Sequence, residues 1–334
     1  NKSRWESCDS SFRRNALIGD ILALSWMSIS QDIVSVSTAR GGVAAFYALA
    51  SIAVQEYTLR ADSAGKVGRI VGTFVGLILG GTFCGSVTGA VIAGRFSYGT
   101  AILAGAVIIL GAGIACYMVM RGPAGDAAPC ATPAPAAIAA VSRLPRAFLA
   151  LVIGIAMPAS AVTAAFVWYY TSLSLASDGL RPADIGRVVM LYYLAAILLG
   201  PFVLPHADRK FAVALCLGGA LLSGAGLLIL STGQVMWITA GTVAVVGIGH
   251  TMLRAPVYAL ARGLTSGAAR SIVLLRLTER LGAIAGIAFA APMMSQATAA
   301  AIPATLGLMV AAGLLYFTLT ALPQIRDGVA AQEG

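Results

Sequence analysis

Ten apolar stretches recur along this chain, near residues 15 to 35, 37 to 58, 69 to 93, 98 to 120, 147 to 173, 187 to 205, 211 to 231, 236 to 261, 271 to 294 and 302 to 322. Crossing about 30 Å of hydrocarbon at 1.5 Å per residue takes roughly 20 residues, and most of these runs reach that length. Composition closes off the soluble alternative: 59% of the residues are hydrophobic and only 10% charged, whereas a soluble domain carries about 25% charged residues. The predicted fold class is an all-α membrane protein with about ten transmembrane helices. The first run is the most diluted, by Asp20, Ser25, Ser28 and Ser30. It does not read as a signal peptide, because Asp20 interrupts its apolar core and no small-residue cleavage site is evident.

The third run, "GRIVGTFVGLILGGTFCGSVTGAVIAG", places glycine at 68, 72, 76 and 80, and again at 81, 85 and 89. Each glycine costs a helix about 1 kcal/mol relative to alanine. Lipid supplies no hydrophobic force between helices, so their association depends on close backbone approach along faces of small residues. The spacing of four therefore predicts a helix-packing face made by Gly72, Gly76, Gly80, Gly85 and Gly89.

Threading alternate loops to opposite sides places fifteen of the 22 basic residues on one side of the membrane. Only Arg95, Arg181 and Arg187 fall on the other, and Arg40, Arg254, Arg276 and Arg280 lie within spans. By the positive-inside rule both chain ends are expected in the cytoplasm, in a bacterial inner membrane. The formal net charge of +9 is thus topological. It is dispersed among loops and forms no stripe, which excludes a nucleic-acid partner.

Residues 121 to 146, "RGPAGDAAPCATPAPAAIAAVSRLPR", are rich in Ala and Pro and lack helical periodicity. They read as a cytoplasmic linker between an N-terminal bundle of four helices, residues 1–120, and a C-terminal bundle of six, residues 147–334. The bundles carry a trace of a repeat. "DSSFRRNALIGDILAL" at 9–24 and "DRKFAVALCLGGALLS" at 208–223 align without gaps, matching Asp9 with Asp208, Phe12 with Phe211 and Gly19 with Gly218. Two halves related by an axis along the membrane normal would show such a pattern.

These motifs resemble the major facilitator superfamily. "DSSFRR" is similar to the end of that family's loop signature between helices two and three, with Asp9, Arg13 and Arg14 at its Asp and paired-Arg positions and Ser10 and Phe12 in place of Arg and Gly. "GPFVLPHADRK", with Gly200, Asp208, Arg209 and Lys210, resembles the second-half version. "VSTARGGVAAFYA" resembles the fourth-helix pattern, with Arg40 at its arginine and Val43 and Ala44 in place of Gln and Gly. The glycine run looks like the fifth-helix antiporter pattern without its proline, and "RLTERLGAIAG" looks like the beginning of the eleventh helix. The resemblance implies a two-bundle transporter of which this chain holds helices three to twelve. It also implies alternating access, a small-molecule substrate and coupling to protons, and makes Asp9, Arg13, Arg14, Asp208 and Arg209 candidates for cytoplasmic gating loops.

Ionisable groups within a bilayer cost about 2.5–3.5 kcal/mol at a helix centre on insertion scales, so each needs a reason. Glu56 lies beside Tyr57 and Arg60 at the end of its span, where snorkelling accounts for it. Asp20 reads as a structural pairing or a proton site. Arg40 is either the family's proton-linked arginine or a snorkelling side chain. His250 and Arg254 share a helix face at i, i+4 near Pro256, giving a bundle-facing proton or anion site or a helix irregularity. Arg276 and Glu279 pair at i, i+3, with Arg280 one turn from Arg276, as an insertion aid or an inter-helix gate. The transport-pathway or proton-coupling candidates are thus Arg40, His250, Arg254, Arg276 and Glu279.

Phe166, Trp168, Tyr169 and Tyr170, with Tyr192 and Tyr193, read as an interfacial aromatic belt or as walls of a substrate cavity. Enzymatic readings fail. The five cysteines are scattered with no Cys-x2-Cys pair, so no metal is implied, and no phosphate-binding glycine loop is present, so no nucleotide cofactor is expected. Ser223 and His250 have no spacing that makes a hydrolase pair. The expected function is secondary active transport of a small organic molecule, as proton-coupled efflux. The rival reading is a transporter-like sensor or scaffold fused to an upstream domain.

Overall fold

The computed structural model describes residues 2–60, 67–120, 144–207, 211–233, 235–264, 268–294 and 299–324. Among them every long element is a helix: α1 (Lys2–Ile29), α2 (Ile33–Arg60), α3 (Val67–Arg95), α4 (Tyr98–Met120), α5 (Arg146–Ser177), α6 (Pro182–Ala207), α7 (Ala212–Leu230), α8 (Met236–Gly263), α9 (Ala268–Met294) and α10 (Ala301–Thr320). Seven of these contain a stretch long and apolar enough to cross a membrane: α3, α4, α5, α6, α7, α8 and α10. Among the described residues the chain is therefore all-helical and membrane-like in character, with seven such spans.

Two boundaries differ from the sequence reading. The first apolar run does not continue to residue 35; α1 stops at Ile29 and α2 begins at Ile33. Polar side chains make the break. Asp32 Oδ2 accepts the Ser35 N–H at 2.7 Å, an N-cap bond for α2, while the Ser30 hydroxyl lies 2.8 Å from the Trp26 carbonyl and 2.7 Å from the Ser35 hydroxyl. The second difference concerns Asp9, Arg13 and Arg14. They do not sit in a loop but within α1, because the chain up to Ile18 contains no glycine or proline to interrupt the helix. Their side chains lie outside the described residues, as do Asp208 and Arg209 and most of the expected linker.

Contacts divide the chain into two units, Asn1–Val75 with Cys84–Ala134, and Gly76–Phe83 with Pro135–Gly334. In the first, α1 packs against α2 and α4. Ala23, Ala39, Val43 and Ala106 are buried there, and Gly42 meets Ala23. In the second, α5 is the most enclosed helix, flanked by α9 and α10, while α7 packs against α8 and α10, and α8 against α6. Phe148, Leu151, Phe166 and Tyr170 of α5 are almost fully buried.

The two units repeat a contact scheme. α1 meets the next helix and the fourth of its group, and α7, counted from the aligned segment 208–223, does the same. The aligned glycines occupy corresponding interfaces: Gly19 of α1 lies under the Phe46 ring of α2, and Gly218 of α7 lies against Met252 of α8.

Among the described residues, the glycines expected to form a packing face on α3 meet no partner. A Cβ placed at Gly76, Gly80, Gly85 or Gly89 meets nothing within 4 Å, and the surroundings of Gly72 lie outside the described residues. Close approach through small residues occurs on other helices. A Cβ at Gly154 of α5 would come 2.5 Å from the Gly313 carbonyl oxygen of α10, and one at Gly286 of α9 would come 2.7 Å from the Ala161 carbonyl oxygen of α5. Spacing marked a helix capable of backbone contact, but contact needs a partner, and α3 buries none of its apolar stretch.

Candidate functional site

The second unit encloses a polar centre. α8 carries His250, Arg254 and Tyr258 at successive intervals of four, hence on one face over about 12 Å of helix. α8 runs through Pro256 without a break. Facing this stripe are α5, with Ser160 and Thr163, and α9, with Glu279; together with Ile155, Ala156, Ala159, Leu253 and Val257 they bound a cavity of about 60 Å³.

His250 is 4% exposed. Its Nδ1 lies 2.9 Å from the Thr163 hydroxyl and 3.0 Å from the Tyr192 hydroxyl, which are themselves 3.4 Å apart, and Thr163 Oγ1 donates to the Ala159 carbonyl at 3.0 Å. Each hydroxyl has one proton. Thr163 spends its proton on Ala159, so its short contact with the ring is a hydrogen bond only if Nδ1–H is the donor. With that tautomer the single Nδ1–H is shared between the Thr163 and Tyr192 oxygens, and the Tyr192 proton is left for Thr163. Nε2 has no partner among the described residues. Tyr192 also packs edge-on against the imidazole, with ring centroids 5.7 Å apart.

Thr163 opens one of two stretches of α5, Val152–Ala156 and Thr163–Tyr170, wound with wider i→i+5 turns. Such widened turns re-aim side chains and occur often at functional sites. Here the second one begins at the residue that grips His250.

One turn along α8 the chemistry becomes ionic. Glu279 of α9 accepts the Tyr258 hydroxyl, 3.2 Å from both carboxylate oxygens, and Arg276 Nη1 at 3.2 Å. The Arg276 guanidinium also lies over the Tyr258 ring, 5.1 Å from its centroid. Arg254 is half-buried, lies within electrostatic reach of Glu279 and near Tyr192, Tyr193 and Tyr258, yet donates no hydrogen bond among the described residues.

The candidates named from sequence therefore separate. His250, Arg254 and Glu279 line one cavity and Arg276 supports Glu279 from behind. Arg40 belongs to the other unit, exposed on α2, and interacts with the buried Asp20 of α1, whose Oδ1 has no hydrogen-bond partner among the described residues. The aromatic residues read as an interfacial belt or as cavity walls divide by burial. Phe166, Tyr170, Tyr192 and Tyr193 are buried in the bundle, and the half-exposed Trp168 donates its indole N–H to the Tyr193 hydroxyl at 2.7 Å. Aromatic residues with hydroxyl partners inside the bundle are held there by those bonds. Ser223 is not joined to His250: its hydroxyl has no partner among the described residues, and the imidazole is bound to Thr163 and Tyr192.

Sequence reasoning missed Ser160, Thr163 and Tyr258. Tyr258 was open to discovery as the third polar residue of a four-residue repeat on an apolar helix. Thr163 and Ser160 gave no signal, since hydroxyl residues are common in such helices. Among the described residues no group of three or more His, Cys, Asp or Glu is placed to hold a metal. The chain matches no protein-family model and no curated protein.

Proposed function

We propose that this chain is a secondary active carrier of the major facilitator type, moving a small organic molecule by alternating access with proton coupling, in the direction of efflux. The observation that carries the reading is the cluster of His250, Arg254, Glu279 and Arg276 around a cavity inside a bundle of apolar helices. Four ionisable side chains in such surroundings are expensive, and a path for substrate or protons is the ordinary reason for keeping them. The repeated contact scheme of α1 and α7 supports the two-bundle resemblance, and the fifth-helix glycine pattern supports efflux. By the distribution of basic residues, the carrier lies in a bacterial inner membrane with both ends cytoplasmic.

The test is flux in proteoliposomes containing the purified full-length protein. Vesicles loaded with pyranine are given ethidium as a cationic probe or gluconate as an anionic one, under an imposed pH gradient. The expected result is probe movement accompanied by proton movement, both lost in Glu279→Gln. Proton flux that is equal in empty vesicles, or equal in Glu279→Gln and wild type, contradicts the reading. Arg40→Ala distinguishes a second coupling point in the first unit: lost proton flux places it on the path, and unchanged flux removes it.

A further inference from the structure

We propose that the cavity between α5, α8 and α9 is a binding site for a single carboxylate group, held by the Arg254 guanidinium and the Ser160 hydroxyl. The proposal deepens the transport reading by naming the chemistry the carrier recognises, but binding itself needs no transport.

The argument starts from charge. The cluster holds two guanidinium groups, Arg254 and Arg276, and one carboxylate, Glu279. Glu279 is already engaged by Arg276 and by Tyr258, 3.2 Å away in each case. Arg254 is attracted to that carboxylate but donates no hydrogen bond to it or to any other described residue. An arginine presents five donors in a planar fork that matches a carboxylate in two parallel bonds. Leaving that fork empty among apolar helices is costly, and an anion in the cavity removes the cost.

The remaining wall defines what enters. Ser160 lines the same cavity and donates no hydrogen bond among the described residues. Thr163 and His250 Nδ1 are occupied with each other and with Ala159 and Tyr192, so among the described residues lining the cavity the free donors are Arg254 and Ser160. The volume of about 60 Å³ is several times what one water needs, which suits a carboxylate head. The opposing Glu279 repels a second negative charge, so a dianion is disfavoured, and a neutral isostere gives the guanidinium nothing to neutralise.

The experiment is equilibrium binding of radiolabelled acetate to the purified full chain in detergent, read by scintillation proximity. Saturable binding is expected, displaced by unlabelled acetate and not by acetamide. Arg254→Gln should weaken it about tenfold or more, Arg254→Lys less, because charge persists without the fork, and Ser160→Ala should weaken it as well. Arg181→Gln, which removes an exposed charge ahead of α6, should leave it unchanged. The proposal is overturned by absent saturable binding, by displacement with acetamide, by chloride displacing better than acetate, by equal loss in Arg181→Gln, or by wild-type affinity in Arg254→Gln. If Arg254→Gln aggregates on size exclusion, wild-type affinity in both Arg254→Lys and Ser160→Ala overturns it instead. Acetate binding without any flux removes the transport reading alone, whereas ethidium flux with no acetate binding removes this proposal alone.

Discussion

At the scale of single residues, the informative atom is His250 Nδ1. It ties α8 to the Thr163 hydroxyl of α5 and the Tyr192 hydroxyl of α6 by hydrogen bonds, so one imidazole joins three helices. Thr163→Val removes the hydroxyl that passes this bond on to the Ala159 carbonyl. Losing a buried partner of this kind costs about 1–3 kcal/mol, and the expected outcome is a lower thermal unfolding midpoint in detergent; an unchanged midpoint would show that Tyr192 alone suffices. Tyr192→Phe should cost less, since Thr163 lies closer to the ring nitrogen and remains. The pair His250 and Arg254 was legible in the sequence because ionisable residues are rare in apolar runs and four residues bring them to one face. Their partners on α5 and α6 were not, because nothing local to those helices encodes which α8 residue they will meet.

Among the helices, the lesson concerns glycine. The regular run on α3 drew attention through its spacing, yet the structure places close backbone contacts at Gly154 against Gly313 and at Gly286 against Ala161. Substitution separates the two classes. Gly286→Val should clash with the α5 backbone, which cannot move aside as a side-chain tip would, and should lower stability by about 1–3 kcal/mol or more. Gly85→Ala should be neutral or stabilise its helix by up to about 1 kcal/mol, since nothing lies within 4 Å of the added methyl. Thermal unfolding monitored by light scattering decides both, and a larger loss at Gly85 than at Gly286 would reverse the assignment. A similar contrast holds at helix ends. The polar run Ser30–Asp32 breaks a stretch that hydropathy alone reads as continuous, because an Asp side chain bonding a backbone N–H competes with helix continuation.

For the whole molecule, seven helices long and apolar enough to cross a membrane predict that alkaline carbonate leaves the protein in the membrane pellet. Release into the supernatant contradicts an integral protein. Reporter fusions add orientation: an insertion within 121–143 should report the cytoplasmic side and one at Asp178–Gly179 the opposite side, as the distribution of basic residues requires. The same side reported by both would invalidate the threading of α5.

Membrane character, helical content and the approximate position of each helix were determined by the sequence alone. Hydropathy and chain length are local properties, and a run of about 20 apolar residues has few other places to go. Which helices touch, which glycines matter and which ionisable residues share a cavity were decided only by the tertiary structure. Those depend on the rotation of each helix about its axis and on the partner it meets, so Arg276 and Glu279 were paired by spacing, whereas Arg254 came to face Glu279 and Ser160 only when α5, α8 and α9 converged.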